Sequence, residues 1–223
     1  MLETPMTPTA ERKVAYLMRG LPSCGKSYTA RKLAGADGVI CETDAFFDRI
    51  DDDGNLQYDY DEDRLEEARD WAYDKFRRAI DAGQSPVILD RGNSLCEDSA
   101  VLARYAADRG YEVILQEPES EWWQEIRELL KFKHQIGLAL DEWAQRLYRK
   151  SRATHCVALK EIRRSMENWR WEVTIEDILE FGSEPSESSD GAAAVAADAH
   201  ASESESASPS PASSAAEPML HGV

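Results

Sequence analysis

Four short apolar runs stand out from an otherwise polar chain: KVAYLMR at 13–19, GVICET at 38–43, PVILD at 86–90 and YEVILQ at 111–116. Each is bounded by charged residues, Gly or Pro, which predicts buried strands. Between them apolar residues recur every three or four positions. KSYTARKLAG predicts a helix stopped at Gly35, and Leu65, Ala68, Ala72, Phe76 and Ile80 form one stripe of a longer helix beginning near Asp61. That helix ends at Asp81-Ala82-Gly83. Leu102, Tyr105 and Ala106 mark the inner face of a helix over 97–109 that stops at Gly110. Strand and helix alternate four times, the pattern of an α/β fold with a parallel sheet and helices on both faces.

The pattern then turns helical. Stretches 121–130 and 141–150 are rich in Trp and Leu, and 157–169 places Leu159, Ile162, Met166 and Trp169 on one face. VTIEDILEF at 173–181 has the form of a short capped helix that closes the domain. The six tryptophans (71, 122, 123, 143, 169 and 171) read as core residues on helix faces.

Composition redraws the ends. From Gly182 onward the chain is almost entirely Ala, Ser, Glu, Pro and Asp, without an aromatic residue, so it predicts a disordered acidic tail over 182–223. Residues 1–10 read as a flexible leader, leaving one α/β domain over 11–181. The tail holds seven of the 43 acids and none of the 26 Lys and Arg, so the formal −17 of the whole chain becomes −10 for residues 1–181. Such an acidic domain is a poor binder of long nucleic acid, which relies on clustered Lys and Arg, although a small basic pocket for one nucleic-acid end is compatible with it. Cys24, Cys41, Cys96 and Cys156 have neither disulfide nor zinc spacing, and no apolar run has spanning length. A cytoplasmic protein without membrane contact is expected.

Gly20-Leu21-Pro22-Ser23-Cys24-Gly25-Lys26-Ser27, followed by Tyr28, fits G-x-x-x-x-G-K-[ST] between the first strand and the first helix. Glycines let the backbone turn its N–H groups onto phosphate oxygens, and the helix adds its positive end. Lys26 is then placed to reach β- and γ-phosphates, and the Ser27 hydroxyl to meet Mg²⁺. Ligands of open α/β sheets bind beyond the carboxyl ends of strands, where two acids stand. Asp90 closes VILD as a candidate for Mg²⁺ or for positioning an acceptor. Asp44 follows CET as a candidate general base, with a helix cap as the alternative for both.

Asp51, Asp53, Asn55 and Glu62 imitate calcium-loop spacing, but Leu56 occupies the position that needs Gly, which favours a solvated loop beside the active edge. Basic residues gather in RLYRKSRATHCVALKEIRRSM. There a helical lid carrying Arg149 or Arg152 would close over a migrating phosphate, while Arg163 and Arg164 read as surface and His155 as structural.

Taken in order, GLPSCGKS, TDAFF, YDYDEDRLEEARDWA, AIDAGQSPVILDRGN, GYEVILQEP and IRRSMENWRWEVTIEDIL resemble the P-loop ATPase domain grouped with polynucleotide kinases, especially that of the NEDD-binding proteins. The resemblance covers nearly all of 13–181. It implies a P-loop kinase fold, ATP and Mg²⁺, and phosphoryl transfer, in polynucleotide kinases to a 5′-hydroxyl. By the same resemblance Lys26 and Ser27 match the nucleotide loop, and Asp44 the general base. Asp90 and Asn93 match the D-x-x-N after the third strand, and Arg152 a lid arginine with Arg149 beside it. The chain departs from the kinases at Phe47, where they carry an arginine that Arg49 or Arg91 would replace. It also reads DRGN in place of DNTN, and carries an added helix near 125–140. These departures fall where an acceptor is held. A small-molecule acceptor (sugar, nucleoside or antibiotic) and a regulatory module that only binds ATP stay open beside the polynucleotide reading.

Overall fold

The computed structural model describes residues 12–51, 53–152 and 157–182. The leader, the tail beyond Gly182, His155 and Cys156 lie outside the described residues. Along the chain run β1 (Val14–Met18), α1 (Lys26–Ala34), β2 (Val39–Glu42), two short strands β3 (Asp48–Ile50) and β4 (Leu56–Tyr58), and α2 (Leu65–Asp81). They are followed by β5 (Val87–Asp90), α3 (Glu97–Ala107), β6 (Glu112–Gln116), α4 (Glu121–Leu129), α5 (Gly137–Ser151), α6 (Leu159–Glu167) and α7 (Ile175–Glu180).

The main sheet is parallel in the order β2-β5-β1-β6. Its alternation sorts the strands into two cores, because successive side chains leave opposite faces. Ala15, Leu17, Val87 and Leu89 pack with Phe76, Ile80, Leu102 and Ala106 on the side of α2, α3 and α7. Met18 and Ile88 point the other way, onto Ala30 and Ala34 of α1. The α2 stripe buries Ala68, Ala72, Phe76 and Ile80 as the periodicity requires. Phe76 alone, fully buried, contributes about 1.5–3 kcal/mol. Tyr105 packs against this core from its edge. It is half-buried on the rim, where its hydroxyl reaches Asp81 at 2.7 Å.

A third core holds the helical part together: Trp123, Ile126, Trp143, Leu147, Ile162 and Met166, with Leu21 and Cys24 of the glycine loop inserted into it. The glycine loop is thus anchored by α4, α5 and α6. The added helix expected near 125–140 is instead the end of α4, a 3-10 turn at Leu130–Phe132 and the start of α5 at Gly137. Of the tryptophans, only Trp123 and Trp143 are buried. The other four are half-buried, and each lies against a cation: Trp71 with Lys75, Trp122 with Lys150, Trp169 with Arg19, and Trp171 with Arg127 and Lys131. Thr174 and Asp177 form the expected capping box at α7.

The acidic stretch after β2 is not a simple loop. It is a 3-10 turn at Asp44–Phe46 followed by an antiparallel hairpin of β3 and β4. Asp51 holds that hairpin closed: Oδ1 accepts from the amides of Asp53 (3.0 Å) and Asn55 (2.8 Å), and Oδ2 from the Gln57 side chain (3.1 Å). Its oxygens serve the turn, so the calcium-like spacing has a structural explanation. Among the described residues no helix is long and apolar enough to cross a membrane.

Candidate active site

Two glycines make the loop possible. Gly20 has φ +153°, and a Cβ there would meet the Cys24 sulfur at 2.6 Å and Pro118 at 3.2 Å. Gly25 has φ +100°, with the Ser120 side chain 3.3 Å from where its Cβ would stand. Ser23 holds φ +58° without being glycine, which is strain stored at the crown of the loop. The first intrahelical bond of α1 runs from the Thr29 amide to the Gly25 carbonyl at 3.1 Å. The amides of Lys26, Ser27 and Tyr28 precede it and point out along the helix axis. No acid sits in the first turn of α1 and no side chain caps it, so the positive end of the helix stays open to an anion. The loop geometry therefore fits a nucleotide phosphate.

Lys26 folds over its own loop, its ammonium donating to the carbonyls of Gly20 (3.1 Å) and Leu21 (2.8 Å). Ser27 lies close to Asp90 at the end of β5, near enough to favour its charged form. Asp90 is only 7% exposed, yet its Oδ2 has no hydrogen-bond partner. Burial pushes this carboxyl above its ordinary value and the Asp44 charge adds to that, while Ser27 and Lys26 pull the other way. A buried carboxylate oxygen left over beside a hydroxyl fits Mg²⁺, which binds through one or two carboxylates plus phosphate oxygens. Among the described residues no group of three or more His, Cys, Asp or Glu is placed to hold a metal ion by itself.

Glu42 went unnoticed in the sequence. The pairing of β2 with β5 sets it opposite Asp90, and burial first, then Asp90 and Asp44, push its carboxyl upward. Its signal was an acid closing an apolar strand two residues before Asp44. Asp44 opens the 3-10 turn and is half-buried, and Tyr58 on β4 donates its hydroxyl to Asp44 Oδ1 at 3.4 Å. Phe47 lies buried beside them, its ring 5.1 Å from Tyr60 and 6.1 Å from Tyr58. Lys26, Ser27, Asp90 and Asp44 thus meet at one sheet edge.

The matched Asn93 does not join them. It is 2% exposed and spends its side-chain amide on the carbonyls of Met18 (2.8 Å) and Leu89 (3.1 Å), clipping β1 to β5. Arg49 pairs with Asp59 at 3.7 Å, and Arg91 lies over Tyr73 with Asp98 at 3.4 Å. Each of the two is held by an acidic partner.

On the other flank the α4 N-terminus grips the loop. Ser120 donates to the Cys24 carbonyl at 2.7 Å and the Trp122 indole to the Ser23 carbonyl at 3.3 Å. Trp122, Trp143, Arg146, Arg149 and Lys150 line a cleft of about 490 Å³ at this side. Arg149 is exposed within it, and Arg152 is the exposed residue that ends α5. Cys24 under the loop is fully buried, which pushes its thiol up to about 11. It packs and does not react.

Residues 16–128 match a family described as AAA domain. The chain is 32% identical over 130 residues to NEDD4-binding protein 2 of Homo sapiens, a match spanning 55% of this chain and 7% of that much longer protein. A solved structure from the PezAT chromosomal toxin–antitoxin system of Streptococcus pneumoniae overlaps 81% of this chain and 88% of its own, at 13% identity and a TM-score of 0.36.

Proposed function

The chain belongs to the AAA domain family, and on that premise we propose that it is an ATP-dependent phosphotransferase moving the γ-phosphoryl group to an acceptor hydroxyl. The observation that carries this reading is the meeting, at one sheet edge, of the glycine loop, the buried Asp90 with its spare oxygen beside Ser27, and the half-buried Asp44. A domain that only binds nucleotide has no need of the third element.

Each residue then has a task. The amides of Lys26, Ser27 and Tyr28, with the turn from Gly20 through Gly25, receive the phosphates. Lys26 exchanges the carbonyls of Gly20 and Leu21 for phosphate oxygens, where its charge offsets theirs. Ser27 and Asp90 would hold Mg²⁺, which when bound neutralises charge on the phosphate oxygens. Asp44, oriented by Tyr58, accepts the proton of the acceptor hydroxyl. Arg149 or Arg152, on the last turn of α5, brings positive charge over the migrating group.

The Asp44→Asn variant tests the reading. ATP binding should be unchanged, while transfer of labelled γ-phosphate should fall about 10²- to 10⁴-fold. Undiminished transfer would remove Asp44 from its role. A wild-type protein that binds ATP and transfers nothing would be a regulatory module.

A further inference from the structure

We propose that the acceptor at Asp44 is a small, phosphate-free hydroxyl compound that lays a ring on Tyr60, and not the 5′ end of a nucleic acid. The proposal rests on the phosphotransfer reading above and specifies its substrate.

The ground beside Asp44 is aromatic. Phe47 is 2% exposed and forms the back of a wall completed by Tyr58 and Tyr60. Tyr58 and Tyr60 lie nearly parallel, 15° apart with centroids at 6.3 Å. Tyr58 is tied to Asp44, whereas Tyr60 is half exposed. An acceptor whose ring lay on Tyr60 would have its hydroxyl near the Asp44 carboxylate, because Tyr60 lies against Tyr58, whose hydroxyl donates to Asp44. Flat apolar or cationic rings gain most from such a surface.

The same ground repels phosphate. From Glu42 to Arg64 the chain carries ten acids against two arginines, a formal balance of −8. Both arginines are engaged. Arg49 pairs with Asp59, while Arg64 pairs with Glu67 at 2.9 Å and stacks on Phe46 at 4.7 Å. Around the rim Arg69 pairs with Glu66, Arg91 with Asp98, and Lys75 sits over Trp71. Behind Asp44 stand Glu42 and the unpartnered oxygen of Asp90. A polynucleotide would bring its first internucleotide phosphates within a Debye length of these charges, about 8–10 Å. Arg146, Arg149 and Lys150 line the Trp122 cleft.

The chemistry balances with ATP as donor. The acceptor oxygen forms a bond to the γ-phosphorus while the bond from that phosphorus to the β–γ bridging oxygen breaks. The electron pair departs on ADP, and the acceptor proton passes to Asp44 and then to water.

The test uses the full chain with Mg²⁺ and labelled ATP, offering adenosine, adenosine 3′-monophosphate, kanamycin and a 5′-hydroxyl oligodeoxynucleotide. Label should go to adenosine or kanamycin. If adenosine is the acceptor, its 3′-phosphate should lower kcat/KM about tenfold or more. Tyr60→Ala should raise KM for the ring acceptor about fivefold with kcat little changed, and Tyr60→Phe should restore it. Calorimetric binding of the same acceptor without ATP should weaken in parallel. Label on the oligonucleotide at equal or better efficiency overturns the acceptor class and leaves phosphotransfer standing. ATP turnover with no labelled probe overturns the acceptor proposal as well. Absence of ATP binding overturns the phosphotransfer reading itself.

Discussion

Ser27 stands beside the Asp90 carboxylate and steadies its charge, and Oδ2 of that carboxylate is buried without a partner. The two residues meet because β5 lies beside β1 in the sheet, so the end of β5 faces the turn that leads from β1 into α1. Leaving a buried acceptor unsatisfied is costly in the absence of a ligand, and such a cost marks a place made for one.

The first expected outcome follows from that cost. The folded Asp90 carboxyl holds its proton to a higher pH than the unfolded one, and Glu42 shifts the same way. Their stabilising share is complete below the unfolded-state value and is lost as pH rises through the folded one. In Mg²⁺-free buffer at pH 7, Asp90→Asn should therefore be more stable than wild type, by about 1–3 kcal/mol in urea denaturation. The gap should narrow on acidification. Mg²⁺ with ATP should stabilise wild type and leave the variant unmoved.

Lys26→Ala removes two bonds to loop carbonyls and the charge that meets the phosphates. Turnover of ATP should drop about 10²- to 10³-fold. Because Leu21 and Cys24 still anchor the loop in the helical core, thermal unfolding without nucleotide should change little. The stabilisation that ATP confers on wild type should vanish.

The third outcome concerns the frame. Arg19 is 2% exposed, lies 3.9 Å over Trp169 and donates to Glu117 at 2.9 Å, while Glu117 also accepts from Arg127 and from the Trp123 indole at 3.2 Å. Removing Glu117 strands a buried guanidinium, whose own burial already disfavours its charge. Glu117→Ala should cost about 3–5 kcal/mol in chemical denaturation. The double variant with Arg19→Met should recover much of that loss, because the charge leaves with its partner.

Arg149 and Arg163 separate lid chemistry from surface charge. Arg163 pairs with Asp141 at 2.9 Å in an exposed position, so Arg163→Ala should leave both stability and turnover within about twofold of wild type. Arg149 lines the cleft beside Trp122. Arg149→Ala should lower kcat about 10³-fold if it is the lid arginine, with Arg152→Ala then nearly silent. The reverse ranking would assign the role to Arg152, and two silent variants would remove the lid from the mechanism.

Features governed by local rules were legible from residue order alone. The four strands, the helix after Lys26 and the glycine loop each depend on neighbours a few positions away, through a repeat of two, a repeat of 3.6, or glycine at a turn that a Cβ would block. Asp90 and Asp44 were visible too, because strand ends face the ligand edge in any parallel sheet. What residue order left open depends on contacts between distant segments. Asn93 stood in a matching motif, yet strand order made it a clip between β1 and β5. Trp122 read as core until α4 packed against the loop and turned its indole to Ser23. Glu42 became part of the acidic edge only when β2 paired with β5, and Tyr58 met Asp44 only when the hairpin folded back. Local geometry follows from the residues that make it, whereas the company a side chain keeps is decided by which segments the closed core brings together.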